Sequence, residues 1–272
     1  MDQNTIEELV VPDPAAPGTG WREGDAWLAG GTFLHSLPLP HLRRFVDLSR
    51  MEWPAIHIVE DGLEIGPTCT VKQLLDFQPP PEWAAGGFLH DCVHAFLAGF
   101  KVWNTATVLG NICTSIPAGP MTTMACALEA EYTLWATDGS VRVVPAIEFV
   151  TGNNQNILAP GELLRKVNIS GAALNRRYAL RRFALTQAGR SSIFLVGTLD
   201  PTGEVLITVS AATKFPVHVR FPAPPSAQEV VDELDAQVPD DLYFDDPNGR
   251  PDHRKHMTYI FAEQIRAELA AD

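Results

Sequence analysis

Three times along this chain two short apolar runs face each other across a turn, and that repetition limits the fold more than any other feature. Ile56 and Ile58 precede Asp61-Gly62, with Leu63 and Ile65 beyond it; Tyr132 to Val144 folds about Asp138-Gly139; Ile193 to Leu199 and Glu204 to Ala211 flank Pro201-Thr202-Gly203. Apolar alternation on both sides of a glycine-containing turn predicts β-hairpins. Hairpins build antiparallel sheets. Here they alternate irregularly with helix-forming stretches, so the fold class is α+β.

Leu89, Val93, Phe96, Leu97 and Phe100 recur at the spacing of a half-buried helix, and Met121 to Ala130 forms another. Thr70 with Gln73 is a capping box that opens a helix through Phe77. Ser226 with Glu229 is a second, opening a helix that carries Val230, Val231, Leu234 and Val238. The stripe Met257, Ile260, Phe261, Ile265 and Leu269 is an amphipathic C-terminal helix. Trp27-Leu28 and Phe45 to Leu48 are short strand-like runs. A length of 272 residues suits two or three packed domains, with Gly171-Ala172-Ala173 as the boundary.

Composition excludes several function classes. Lys and Arg number 20 against 33 Asp and Glu, a net charge of −13, which repels phosphate backbones and argues against nucleic-acid or anionic-membrane partners. Backbone amides can still hold one phosphate group locally. No apolar run approaches the roughly 20 residues needed to span a bilayer, and the first twenty residues lack a basic start, so a cytoplasmic location is expected. Cys69, Cys92, Cys113 and Cys126 form no C-x-x-C pair and read as buried small hydrophobes, not cluster or zinc ligands. His90 and His94 share a helical face with no third ligand in view, and His253 and His256 are no better placed, so no metal site is expected. Ser115 and Ser191-Ser192 lack the context of a serine hydrolase. The pairs Arg176-Arg177 and Arg181-Arg182 balance surface charge or make one cofactor contact, and Asp240-Asp241 and Asp245-Asp246 read as turn and capping residues.

Two stretches carry the chemistry. Ala29-Gly30-Gly31-Thr32 follows an apolar strand and precedes Phe33-Leu34; its glycines permit a tight turn and close approach to an anion, and Thr32 adds a hydroxyl. About eighty residues on, Leu97 to Ile112 ends a helix in a Thr/Asn-rich turn with Gly110, where Asn111 offers both donor and acceptor.

Together with Pro160-Gly161-Glu162-Leu163-Leu164 and Asp245-Asp246-Pro247-Asn248-Gly249-Arg250, these blocks resemble the FAD-binding subunit of molybdenum hydroxylases of the xanthine dehydrogenase and carbon monoxide dehydrogenase type, from about Trp21 to about Leu269. The resemblance implies a two-lobed FAD-binding domain of the vanillyl-alcohol-oxidase-like type over residues 1–170 (a small lobe to about 52, a larger one over 53–170). A sheet-and-helix flavoprotein domain over 171–272 would follow. It assigns Leu28, Ala29, Gly30, Gly31, Thr32, Phe33 and Leu34 to the cofactor pyrophosphate, and Thr107, Gly110 and Asn111 to the opposite side. Leu97 and Leu164 match apolar contacts, and Arg182 stands where a cation near the flavin ring would favour the anionic reduced form.

Leu109 replaces the first glycine of the family's usual pair, which would crowd a backbone meant to approach a ligand; Trp103 replaces a common Arg, and Pro120 a frequent Asp. The implied role is electron relay: electrons pass from iron–sulfur clusters on a partner subunit through FAD to NAD or another acceptor, with molybdopterin on a further subunit. The rivals are a scaffold of the same fold that has lost FAD and a stand-alone flavoprotein oxidase.

Overall fold

The computed structural model describes residues 3–187 and 189–271. In chain order, β1 (Glu8–Val10), β2 (Asp25–Leu28) and β3 (Arg44–Asp47) form a small parallel sheet with β3 in the middle. The hairpin β4 (Ile56–Val59) and β5 (Gly62–Ile65) follows, then α1 (Val71–Asp76), α2 (Gly86–Ala95), α3 (Phe100–Trp103), α4 (Val108–Thr114) and α5 (Pro120–Ala127). Next come the hairpin β6 (Glu131–Trp135) and β7 (Val141–Pro145), a two-stranded turn of β8 (Val150–Gly152) and β9 (Gln155–Asn156), and β10 (Leu163–Ser170). A single turn, α6 (Gly171–Leu174), leads into the meander β11 (Arg177–Ala184), β12 (Ser191–Leu199), β13 (Val205–Ser210) and β14 (Val217–Phe221), closed by α7 (Ala227–Gln237) and α8 (Pro251–Ala270).

β10 enters between the two earlier hairpins to complete an antiparallel sheet ordered β4-β5-β10-β6-β7. Side chains alternate between the faces of a strand, so Leu63, Ile65, Tyr132, Leu134, Val167 and Ile169 all point to one side. There they meet Leu89 and Val93 of α2, Ile112 of α4 and Met124 of α5 in the larger core. All eight residues of α5 are buried. That helix lies against β12 and β13 as well, and Phe194, Val196 and Ala211 belong to the same core. The opposite face of β12 presents Ile193 and Leu195 to a second core with Val230 and Leu234 of α7 and Phe261, Ile265 and Leu269 of α8. A Cβ on Gly197 would stand 2.2 Å from Ile265 Cγ2, so glycine lets α8 pack hard against the strand.

The three hairpins, both capping boxes and the C-terminal helix lie where the sequence predicts them. Val231 and Ile260 depart from their stripes, being 36% and 37% exposed. The proposed helix through Leu89 and Phe100 is a correction: α2 stops at Ala95 and Phe96 leaves helical geometry with ψ 86. Gly99 then starts the separate turn α3, and Phe100 is 71% exposed. The apolar spacing is real, but its last three members serve a connector. The Gly171-Ala172-Ala173 stretch forms α6, capped by the Ser170 hydroxyl, which accepts from Ala173 N–H at 3.2 Å. No helix among the described residues is long and apolar enough to cross a membrane.

Candidate functional site

A cleft of about 570 Å³, within the ordinary range for small-molecule sites, opens between the loop after β2 and the α3–α4 segment. β2 delivers the chain to Leu28, and the ladder of β2 on β3 fixes that exit. At Gly30 an added Cβ would fall 1.9 Å from the Thr105 carbonyl oxygen, so the two stretches that the sequence singled out touch through main chain. Gly31 has φ +68, a left-handed value that disfavours other residues, and a Cβ there would strike His35 and Leu28. Among the described residues, the amides of Gly30, Gly31 and Thr32 donate to no protein acceptor.

The opposite wall is α4. Thr107 is its N-cap, accepting from Gly110 N–H at 3.0 Å. Backbone bonds from Val71 N–H to the Ala106 carbonyl and from Val108 N–H to the Cys69 carbonyl, each 2.9 Å, anchor it to the α1 edge. Thr107, Gly110, Asn111 and Thr114 face the cleft at helical spacing, while Val108, Leu109 and Ile112 are buried on the other side. Asn111 Oδ1 accepts from Met121 N–H at 3.3 Å, joining α4 to the start of α5, where Pro120 is buried at the first helical position. Phe96, Val102 and Ile116 supply apolar surface, and Trp103 holds the connector by donating from Nε1 to the Phe96 carbonyl at 3.0 Å.

Among the described residues no charged side chain lines this cleft. Cys113 reaches it, but burial pushes its thiol up to about 12, which leaves it protonated and inert at neutral pH. Burial likewise raises Cys69 to about 12, and lifts Cys92 and Cys126 further. His90 Nε2 lies 2.8 Å from the Phe77 carbonyl, and His94 packs edge-on against Trp103. Among the described residues no group of three or more His, Cys, Asp or Glu is arranged to hold a metal.

Of the residues drawn from the sequence, Ala29, Gly30, Gly31, Thr32, Phe33, Leu34, Thr107, Gly110 and Asn111 come together on the cleft. Leu28 stands just behind Gly31. Three do not join them. Leu97 sits in the α2–α3 connector, 41% exposed, because α2 ends before it. Leu164 is 2% exposed inside the larger core, since β10 turns it to the buried face. Arg182 lies on β11, donating from Nε to Ser191 Oγ and from Nη2 to the Gly189 carbonyl, both at 2.7 Å. Gly110 lies in the first turn of α4, not in an irregular loop, and the feared obstruction by Leu109 does not arise: that side chain is 2% exposed within the core, pointing away from the cleft. The sequence reading missed Thr114 and Asn154. The spacing from Thr107 through Thr114 would have found the first; Asn154, on the β8–β9 turn, carries no local signal.

The donors and walls fit an FAD diphosphate: loop amides with no protein acceptor among the described residues beside a glycine cradle that any side chain would fill, with threonine hydroxyls nearby and apolar surface for the rest. Comparison with known proteins agrees. The family described as the FAD binding domain in molybdopterin dehydrogenase matches residues 24–170, more than half of the chain. Xanthine dehydrogenase 1 of Arabidopsis thaliana is 28% identical over 123 residues, covering 43% of this chain and 9% of that protein. The xanthine dehydrogenase of Oryza sativa subsp. japonica is 28% identical over the same length, covering 42% and 9%. The match thus spans about a tenth of the curated relatives. Among solved structures, CO dehydrogenase from Oligotropha carboxidovorans superposes with a TM-score of 0.80 at 20% identity over 98% of this chain and 99% of that one. Quinoline 2-oxidoreductase from Pseudomonas putida 86 gives 0.78 at 18% over 99% and 98%. At such identities the likeness is one of fold, and it extends beyond the matched family region to the meander and its helices. With the glycine cradle, the α4 wall and the match over residues 24–170 in agreement, the chain belongs to the family of FAD binding domains in molybdopterin dehydrogenases.

Proposed function

We propose that this chain holds FAD as the electron-relay subunit of a molybdenum hydroxylase, receiving electrons from an iron–sulfur subunit and passing them to NAD or another acceptor. Molybdopterin and the substrate belong to a further subunit, and the complex works in the cytoplasm. The reading assigns residues 1–170 to the flavin and 171–272 to a supporting domain. FAD, when bound, supplies the exchange between single-electron donors and a two-electron acceptor. What the protein contributes is binding and orientation: amides of Gly30, Gly31 and Thr32 toward the diphosphate, Thr107 and Asn111 across from them, and Phe96, Val102 and Ile116 to exclude water.

The observation that carries this reading is the contact of Gly30 with the Thr105 carbonyl, which closes two distant main-chain stretches around one space. The rival of a scaffold without FAD rests on Leu109 and Pro120; the Leu109 side chain is buried in the core rather than in the cleft, which supports the FAD reading over that rival. The test is the visible spectrum of the purified full chain after incubation with FAD and desalting. Retained flavin absorption is expected, with affinity reduced roughly tenfold or more in Gly30→Ala, where a methyl group must displace the opposite backbone. A colourless chain with no affinity for FAD would remove the proposal.

A further inference from the structure

The far end of α4 is held from outside the helix. Its last carbonyls would lack intrahelical partners, yet those of Ile112, Cys113 and Thr114 are met. The Ile112 carbonyl accepts from Ser115 N–H at 2.9 Å, with Ser115 left-handed at φ 54. Asn156 Nδ2 donates to the Cys113 carbonyl at 3.1 Å and to Ser115 Oγ at 2.9 Å. Asn154 donates twice, from Nδ2 to the Thr114 carbonyl and from its backbone N–H to the Ser115 carbonyl, both at 2.8 Å. These donors come from the β8–β9 turn, forty residues further along the chain, and Asn154 itself lines the cleft.

We infer that Asn154 is a positioning residue of the FAD cleft, acting through the Thr114 carbonyl to fix the wall that presents Thr107, Gly110, Asn111 and Thr114. The inference rests on the FAD reading above and adds a wall to the cleft, one that the sequence blocks do not contain. The short helix has its opposite face in the core and its start pinned by Thr107 and the Cys69 carbonyl. Without the side chain of Asn154, the end that borders the cleft is the part left free to shift. Asn154 has φ +57, a value that asparagine and glycine tolerate. Glycine at this position therefore keeps the turn and its N–H bond while deleting the bond to Thr114.

The experiment compares the unaltered full chain with Asn154→Gly, measuring FAD affinity by flavin fluorescence and apoprotein melting temperature in parallel. Asn154→Gly is expected to weaken FAD binding about fivefold, with an apoprotein melting temperature lowered only slightly by the one internal bond lost. Asn154→Ala should lose the same affinity and melt lower still, because alanine resists the left-handed backbone. Equal FAD affinity in Asn154→Gly and the unaltered chain would overturn the inference alone. So would a loss of affinity that appears only in alanine, where strain unfolds the turn. An unaltered chain that takes up no FAD would overturn both this inference and the reading beneath it.

Discussion

Leu109 is the residue at which sequence and structure diverge most instructively. By position it replaces a glycine beside the ligand; by burial it is a core residue on the reverse face of α4. Restoring the glycine is therefore expected to leave FAD affinity where it is and to destabilise the fold. Leu109→Gly should cost about 3–6 kcal/mol through the lost side chain and the weakened helix, read as a lower midpoint in chemical denaturation. A tighter FAD complex would reverse this assignment. Glu162, from the Pro-Gly-Glu-Leu-Leu block, has a structural role of the same kind. Its carboxylate receives Arg142 Nε and Nη2, both at 2.7 Å, and Ala159 N–H at 3.0 Å. The Arg142 hydrogen bonds, opposed by burial and helped by Ala159, hold its carboxyl below the usual range. A carboxyl depressed in the folded state contributes stability above its unfolded value of about 4.3, and that contribution is lost as pH falls further through the folded value. Glu162→Gln should thus melt lower than the unaltered chain at pH 6, and the gap should close as pH drops below 4. A gap independent of pH would show that charge plays no part.

Among the elements, α8 depends on one buried cation. Arg254 is 1% exposed and donates to the carbonyls of Gly249, Ser192 and Ala211, and it pairs with Asp246. The aspartate-rich block before the helix is thereby explained: the turn from Asp246 to Gly249 exists to place one carboxylate and one carbonyl on this guanidinium. Arg254→Ala is expected to cost about 3–5 kcal/mol by leaving Asp246 without its partner. Arg254→Lys should not restore stability, since one ammonium cannot reach four acceptors spread around a planar fork. Thermal melts of the two variants decide this, and a lysine variant as stable as the unaltered chain would count against it. The hairpins and capping boxes were legible in sequence because their causes are local: Asp61-Gly62 turns the chain and Thr70 caps its own helix. β1 and β8–β9 were not, since each is only two or three residues long and paired by a neighbour remote in the chain or by one tight turn. The site divides the same way. Gly30 and Thr107 announce themselves by turn and cap chemistry, whereas Asn154 matters only through a carbonyl forty residues away, and Arg182 and Leu164 lie off the cleft because their strands direct them elsewhere.

At the scale of the whole molecule an acidic chain is assigned an anionic cofactor. The net charge is −13, and no cation among the described residues lines the cleft, so short-range attraction comes from amide and hydroxyl dipoles while the long-range field is repulsive. Dipolar contacts at hydrogen-bond distance are little affected by salt, but the field of distant carboxylates is screened as the Debye length shrinks from about 30 Å at 0.01 M to about 10 Å at 0.1 M. The balance sets a sign opposite to that of most phosphate-binding proteins. FAD affinity should hold or rise by about two- to threefold as salt increases from roughly 0.01 M to 0.1 M, and the gain should come in the association rate, where steering acts. Stopped-flow flavin fluorescence across that range measures both rate constants. An affinity that falls steeply with salt would mean that a basic side chain reaches the diphosphate when FAD binds, and would overturn this account.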